Sequence, residues 1–156
     1  MKFALRRCLV LSLATGFMGL YVALPDRAMA QSDARCVPAG GLKGTYVYSY
    51  TGYTVDTSGD LIPFAVAGRA TFSANGTLSG ESTTTTKGQP VQSKVTYTGT
   101  YSVNSDGSVS ETDTDAHGVV SHFDDFPSCD GNIIAFIQTD PGVISSGIET
   151  RGSRER

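Results

Sequence analysis

The chain has 156 residues and a formal charge of −3, and its first 30 residues read as a removable leader carrying Lys2, Arg6, Arg7 and Arg27 against Asp26. The remaining 126 residues therefore carry −6 and suffice for one domain rather than two. A domain this acidic lacks the clustered Lys and Arg that phosphate backbones require, which argues against nucleic acid as a partner. Gly, Ser and Thr make up 49 of the 126 residues and Trp is absent, a composition that excludes a helical bundle.

Taken in chain order, Lys2, Arg6 and Arg7 form a positive start, and an apolar run extends from Cys8 to Leu24. Pro25 and the small-residue end Ala28-Met29-Ala30 follow. This layout is that of a secretory signal peptide cleaved after Ala30, so a periplasmic or extracellular location is expected. Gly16, Gly19 and Pro25 weigh against an uncleaved membrane anchor. Cys8 leaves with the leader. Cys36 and Cys129 then form an even pair in an oxidising compartment, and a disulfide between them is expected.

Residues 31–42 are a polar lead-in rich in Gly and Pro. From Lys43 onward, turn signals recur at Asn75-Gly76, Lys87-Gly88, Asp106-Gly107, His117-Gly118, Asp130-Gly131 and Pro141-Gly142. Most intervals are 11 to 13 residues, too short for crossover helices. The turns delimit eight strands near 43–53, 61–74, 77–87, 90–103, 107–115, 118–126, 131–139 and 142–151, with a charged tail at 152–156. Asn75-Gly76-Thr77 matches a glycosylation sequon, but Asn-Gly is also what a tight turn needs, and the turn is the preferred reading.

The clearest alternation places Val91, Ser93, Val95, Tyr97, Gly99, Tyr101 and Val103 on one face. A four-residue loop Asn104–Gly107 and a two-residue loop His117-Gly118 would put Thr112, Thr114 and Ala116 on the Tyr97/Tyr101 face, together with Ser121 and Phe123. Glu111, Asp113, Asp115, His122 and Asp124 would then face solvent. With Pro141-Gly142 as the last loop, Ile133, Ala135, Ile137, Ile144 and Ile148 group together and are expected to point inward. Eight sequential antiparallel strands are best housed in an up-and-down barrel, which leaves no exposed edges; a two-sheet β-sandwich is the alternative. The polar outer faces this register implies argue against insertion of the mature domain into a membrane.

The segments Gly44–Tyr48, Ala70–Gly80, Tyr97–Asn104 and Thr139–Gly147 resemble small secreted bacterial proteins of calycin-like barrel type, similar in architecture to the allene oxide cyclase barrel. The resemblance spans most of residues 43–151 and implies an all-β, calycin-like barrel. The chain lacks the Gly-x-Trp motif of true lipocalins, and no cyclase catalytic residue maps onto it.

Two constellations could carry chemistry. Glu111, Asp113, His122 and Asp124 share a face in the assumed register and could ligate a divalent metal, though a solvated acidic face is the preferred reading. Tyr46, Tyr48 and Tyr50 share a face of the first strand, as Tyr97 and Tyr101 do of the fourth. If both rows face inward, Tyr46, Tyr48, Tyr97, Tyr101, Thr112, Thr114, Ser121 and Phe123 would line a cavity for a small, partly apolar molecule. No cofactor is implied, and neither a nucleophile elbow nor a phosphate-binding Gly loop occurs. A ligand-binding barrel, a filled structural barrel, and a cyclase or isomerase using the same cavity are the readings that remain. Glu81 and Glu149 are carboxylates whose side the pattern does not settle.

Overall fold

The computed structural model describes residues 41–152. The expected signal peptide, Cys36, most of the lead-in and residues 153–156 lie outside the described residues. Eight strands follow one another: β1 (Gly44–Val55), β2 (Leu61–Ser73), β3 (Thr77–Thr86), β4 (Gln92–Val103), β5 (Val109–Asp115), β6 (Val120–Pro127), β7 (Ile133–Gln138) and β8 (Val143–Arg151). Each pairs antiparallel with its sequence neighbour, and β8 pairs with β1, so the sheet closes into an eight-stranded up-and-down barrel. Closure excludes the sandwich. All eight expected strands are present, with boundaries within a few residues.

Alternation decides what the barrel encloses. Even-numbered residues of β1, β2, β3 and β7 point inward, as do odd-numbered residues of β4, β5, β6 and β8. The expected inward face of β4 is therefore observed, although Val91 and Val103 at its ends are exposed.

The expected faces of β5 and of the β7–β8 hairpin are overturned. Both loops around β5 hold three residues rather than four or two. In each, the chain makes a tight turn and then a glycine at positive φ, Gly107 (89°) or Gly118 (82°), before pairing resumes. Tyr101 therefore pairs with Glu111 and Tyr97 with Asp115, one position away from the expected partners. Because side chains alternate, this offset sends Thr112 and Thr114 to the outer wall and turns Glu111, Asp113 and Asp115 inward. The Pro141-Gly142 loop does group Ile133, Ala135, Ile137, Ile144 and Ile148 on one face, but that face is outside, with Ile144 63% exposed. A hairpin register fixes which residues share a face and not which face is enclosed.

Two kinds of contact fill the interior. At the end where β1 begins, Leu42, Tyr46, Ala70, Phe72, Leu78, Tyr101, Val109 and Ile134 form a closed plug, each at most 8% exposed. The Tyr101 hydroxyl lies 2.7 Å from the Leu42 carbonyl and 2.8 Å from that of Ser73, fixing Leu42 beneath the strands. The Tyr46 hydroxyl donates to the Gly131 carbonyl (2.7 Å) and accepts from Arg151 Nη2 (2.7 Å). Higher in the barrel, large side chains lie across glycines on the neighbouring strand: Tyr48 over Gly68, Tyr97 over Gly80, Tyr50 and Phe136 over Gly147. A β-carbon at Gly68 would sit 2.6 Å from the Tyr48 hydroxyl and 2.4 Å from the Glu81 carbonyl, so these rings lie flat only because the facing residue has no side chain.

The plug should report on Tyr101 directly. Tyr101→Phe removes the one hydroxyl hydrogen that the Leu42 and Ser73 carbonyls share and is expected to cost about 1–3 kcal/mol, read as a lower urea midpoint at unchanged slope.

Candidate functional site

Above the plug the barrel is hollow. A cavity of about 290 Å³ opens toward the end formed by the β1–β2, β3–β4, β5–β6 and β7–β8 connections. That is room for about ten waters, near the lower limit of pockets that accept drug-sized ligands. Its wall is aromatic: Tyr48, Tyr50, Phe64, Tyr97, Phe123 and Phe136 all line it. Tyr50 is central, with edge-on contacts to Phe64 (5.9 Å), Phe123 (6.2 Å) and Phe136 (5.4 Å). Edge-to-face packing of this kind locks the rings and leaves a shaped rather than collapsible space.

The polar part of the lining combines hydroxyls and Gln138 with five acids. Glu111 and Asp113 come from β5, Asp125 from β6 and Glu149 from β8, with Asp115 nearer the open end. Glu111 lies within hydrogen-bond reach of both Asp113 and Asp125. Gly99 stands opposite Asp113, and a β-carbon there would collide with the Asp113 carboxylate, so the missing side chain seats that acid in the wall.

Burial raises Glu111, Asp113, Asp125 and Glu149. It holds the Glu111 carboxyl well above the usual range, reinforced by Asp125 and Asp113 beside it. Asp113 is raised by burial to about 6, Asp125 to about 7 and Glu149 to about 8, the last two also by neighbouring carboxylates. Tyr48 is pushed up to about 12, chiefly by burial. Even so, Asp113 Oδ1, Asp125 Oδ2 and Glu149 Oε2 are buried without a hydrogen-bond partner among the described residues.

The residues expected at the cavity from sequence fall into three groups. Tyr48, Tyr97, Ser121 and Phe123 line it. Tyr46 and Tyr101 point inward but belong to the plug below. Thr112 and Thr114 point to the outside and are withdrawn from the lining. The metal constellation is split by the barrel wall: Glu111 and Asp113 are inside, whereas His122 and Asp124 are exposed outside. His122 Nδ1 instead meets Asp140 Oδ1 at 2.7 Å. Among the described residues no group of His, Cys, Asp and Glu is placed to hold a metal ion. Of the two unsettled acids, Glu81 pairs with Arg69 (3.1 Å) on the outer wall and Glu149 is inside. Asp125, Phe136 and Glu149 had no sequence signal of their own; a three-residue loop with its glycine at positive φ was the signal that would have placed Glu111 and Asp113.

No protein-family model matches the chain, and no curated protein does. Among solved structures it is similar to a redesigned β-barrel, mFAP0, in a structure bound to DFHBI, at 17% identity and a TM-score of 0.48 over 70% of this chain and 98% of that one.

The acid cluster makes stability depend on pH in a definite direction. The folded chain holds protons on Asp113, Asp125 and Glu149 more tightly than the unfolded chain, whose carboxyls titrate near 3.8 and 4.5. The cluster is therefore best tolerated below about pH 4, and stability falls as pH rises through 6 to 8. Glu149→Gln should raise the melting temperature at pH 8 by about 5 °C, with the gain vanishing near pH 4.5. A gain equal at both pH values would mean that the Glu149 charge is not what the fold tolerates poorly.

Proposed function

We propose that this chain is an exported barrel protein that holds a small, partly apolar ligand in its interior. One observation carries the reading: a cavity of about 290 Å³ walled by six aromatic rings, with buried carboxylate oxygens that no described residue satisfies. Apolar walls with a few convergent polar groups are how small-molecule sites are built. A filled structural barrel does not describe this interior. An uncharged environment-sensitive dye, 6-propionyl-2-dimethylaminonaphthalene, should bind with a blue-shifted emission. Ser121→Phe, which projects a ring into the cavity from β6, should cut that binding by about tenfold or more while the melting temperature stays within a few degrees. Dye binding unaffected by Ser121→Phe would place the site elsewhere.

A second reading is favoured by one observation of its own. Asp113, Asp125 and Glu149 are raised to about 6, 7 and 8, the range in which a carboxyl exchanges protons efficiently at neutral pH. A cyclase or isomerase whose barrel shapes the substrate while one of these acids moves a proton would use the same cavity.

Export and the Cys36–Cys129 disulfide belong to the same proposal. Cys129 lies in the β6–β7 connection, whose Gly131 carbonyl is 2.7 Å from the Tyr46 hydroxyl, so that connection and the entry to β1 share one end of the barrel. A cross-link there would close about 94 residues and add roughly 4–5 kcal/mol on the chain-entropy account. Intact mass of protein recovered from its own host should match residues 31–156 with no alkylatable thiol. Retention of residues 1–30, or two free thiols in the folded protein, would overturn this part.

A further inference from the structure

The cavity is lined by acids at depth, with no basic residue beside them among the described residues. Of the described residues that line it, Glu111, Asp113, Asp115, Asp125 and Glu149 are acids, and none is Lys, Arg or His. Glu111 binds part of this charge internally, since a protonated Glu111 donates to Asp113 or Asp125. Asp113 Oδ1 is turned toward the space opposite Gly99 in the wall. That leaves Asp125 Oδ2 and Glu149 Oε2, in residues 3% and 7% exposed, as acceptors without donors among the described residues. The basic residue that follows Glu149 on the same face of β8 does not answer them. Arg151 is engaged at the plug, its Nη2 2.7 Å from the Tyr46 hydroxyl and its guanidinium 5.2 Å from that ring.

A buried acceptor without a donor is costly, and more so when charged. The lining that surrounds these oxygens supplies Tyr48, Tyr50, Tyr97, Phe123 and Phe136. Aromatic faces attract cations, most of all where water is excluded. An acid pair at depth and a ring cage around it are complementary to one chemical class.

Resting on the binding reading above, we propose that the ligand is a small organic cation bearing N–H donors on an apolar body: a primary ammonium, amidinium or guanidinium seated on Asp125 and Glu149 with its body among the rings. A quaternary ammonium has no N–H to offer the two oxygens. A neutral ligand supplies no counter-charge once these acids ionise. A metal ion finds no suitable ligand set among the described residues.

The carboxyls facing the seat are Glu111 and Asp113 from β5, Asp125 from β6 and Glu149 from β8, with the hydroxyls of Tyr48 and Tyr97 from β1 and β4. Seating a cation requires Asp125 and Glu149 to be ionised, so binding releases protons and weakens as pH falls from 8 to 5.

Calorimetric titration of the purified protein with three probes of one shape tests this: 2-phenylethylamine, 2-phenylethanol and phenylacetate. The amine should bind about tenfold or more tighter than the alcohol at pH 8, and phenylacetate weakest. Asp125→Asn combined with Glu149→Gln, both near-isosteric, should remove the amine preference over 2-phenylethanol and its pH dependence, while the melting temperature at pH 8 stays at or above that of the unsubstituted chain. Equal binding of amine and alcohol, an amine preference that survives the double variant, or displacement of the amine by CaCl₂ would overturn the cation assignment. If none of the three probes binds while the dye does, the cation assignment falls and the cavity reading stands. If the dye fails as well, both fall.

Discussion

The pairing of β1 with β8 is the constraint on which everything else depends. β1 is bonded to β2 along its whole length and to β8 from Tyr46 to Thr54, so the sheet has no free edge and every strand gains an inside and an outside. From that point one row of each strand is removed from water. The three inward tyrosines of β1 show the consequence: Tyr46 ends in the plug, while Tyr48 and Tyr50 line the hollow above it. One row of identical residues thus serves both the packing of the closed end and the walls of the cavity.

Glycines on the inner face keep the cavity open. A barrel of eight strands is just wide enough to be filled by its own side chains or to hold one small ligand. Here Gly68, Gly80 and Gly147 let Tyr48, Tyr97, Tyr50 and Phe136 lie against the neighbouring strands, so ring volume is stored along the wall rather than projected to the axis. Gly99 does the same for the Asp113 carboxylate. The same four positions would be filled in a barrel optimised for packing, where a missing side chain is a loss of burial.

The buried acids run against stability in the same way. Four carboxyls within one hydrophobic enclosure are kept by partial protonation and by the bridge through Glu111, and the fold tolerates them at a cost that grows with pH. The plug, with Tyr101 and Tyr46 bonded to backbone carbonyls beneath the hollow, supplies the compensating rigidity. Strained or poorly satisfied groups that persist inside an otherwise well-packed structure are where function is expected to lie.

The spacing of Gly-containing turns and the alternation of β4 were enough to specify eight antiparallel strands and a barrel, because both are properties of consecutive residues. The inward tyrosines of β1 and β4 were legible for the same reason. The acid cluster was not. Glu111 and Asp113 turn inward only because the Ser105–Gly107 and Ala116–Gly118 loops hold three residues, and a one-residue difference in a loop inverts every side chain beyond it. The isoleucines of β7 and β8 mislead in a related way: hydrophobicity suggested the enclosed face, whereas Phe136 packs inside on Tyr50 of β1 and Phe123 of the adjacent β6, and Ile137 and Ile148 lie outside. Local sequence determined the strands and their partners. Only closure of the sheet, which brings β5, β6 and β8 to one interior, decided that four carboxyls would meet there.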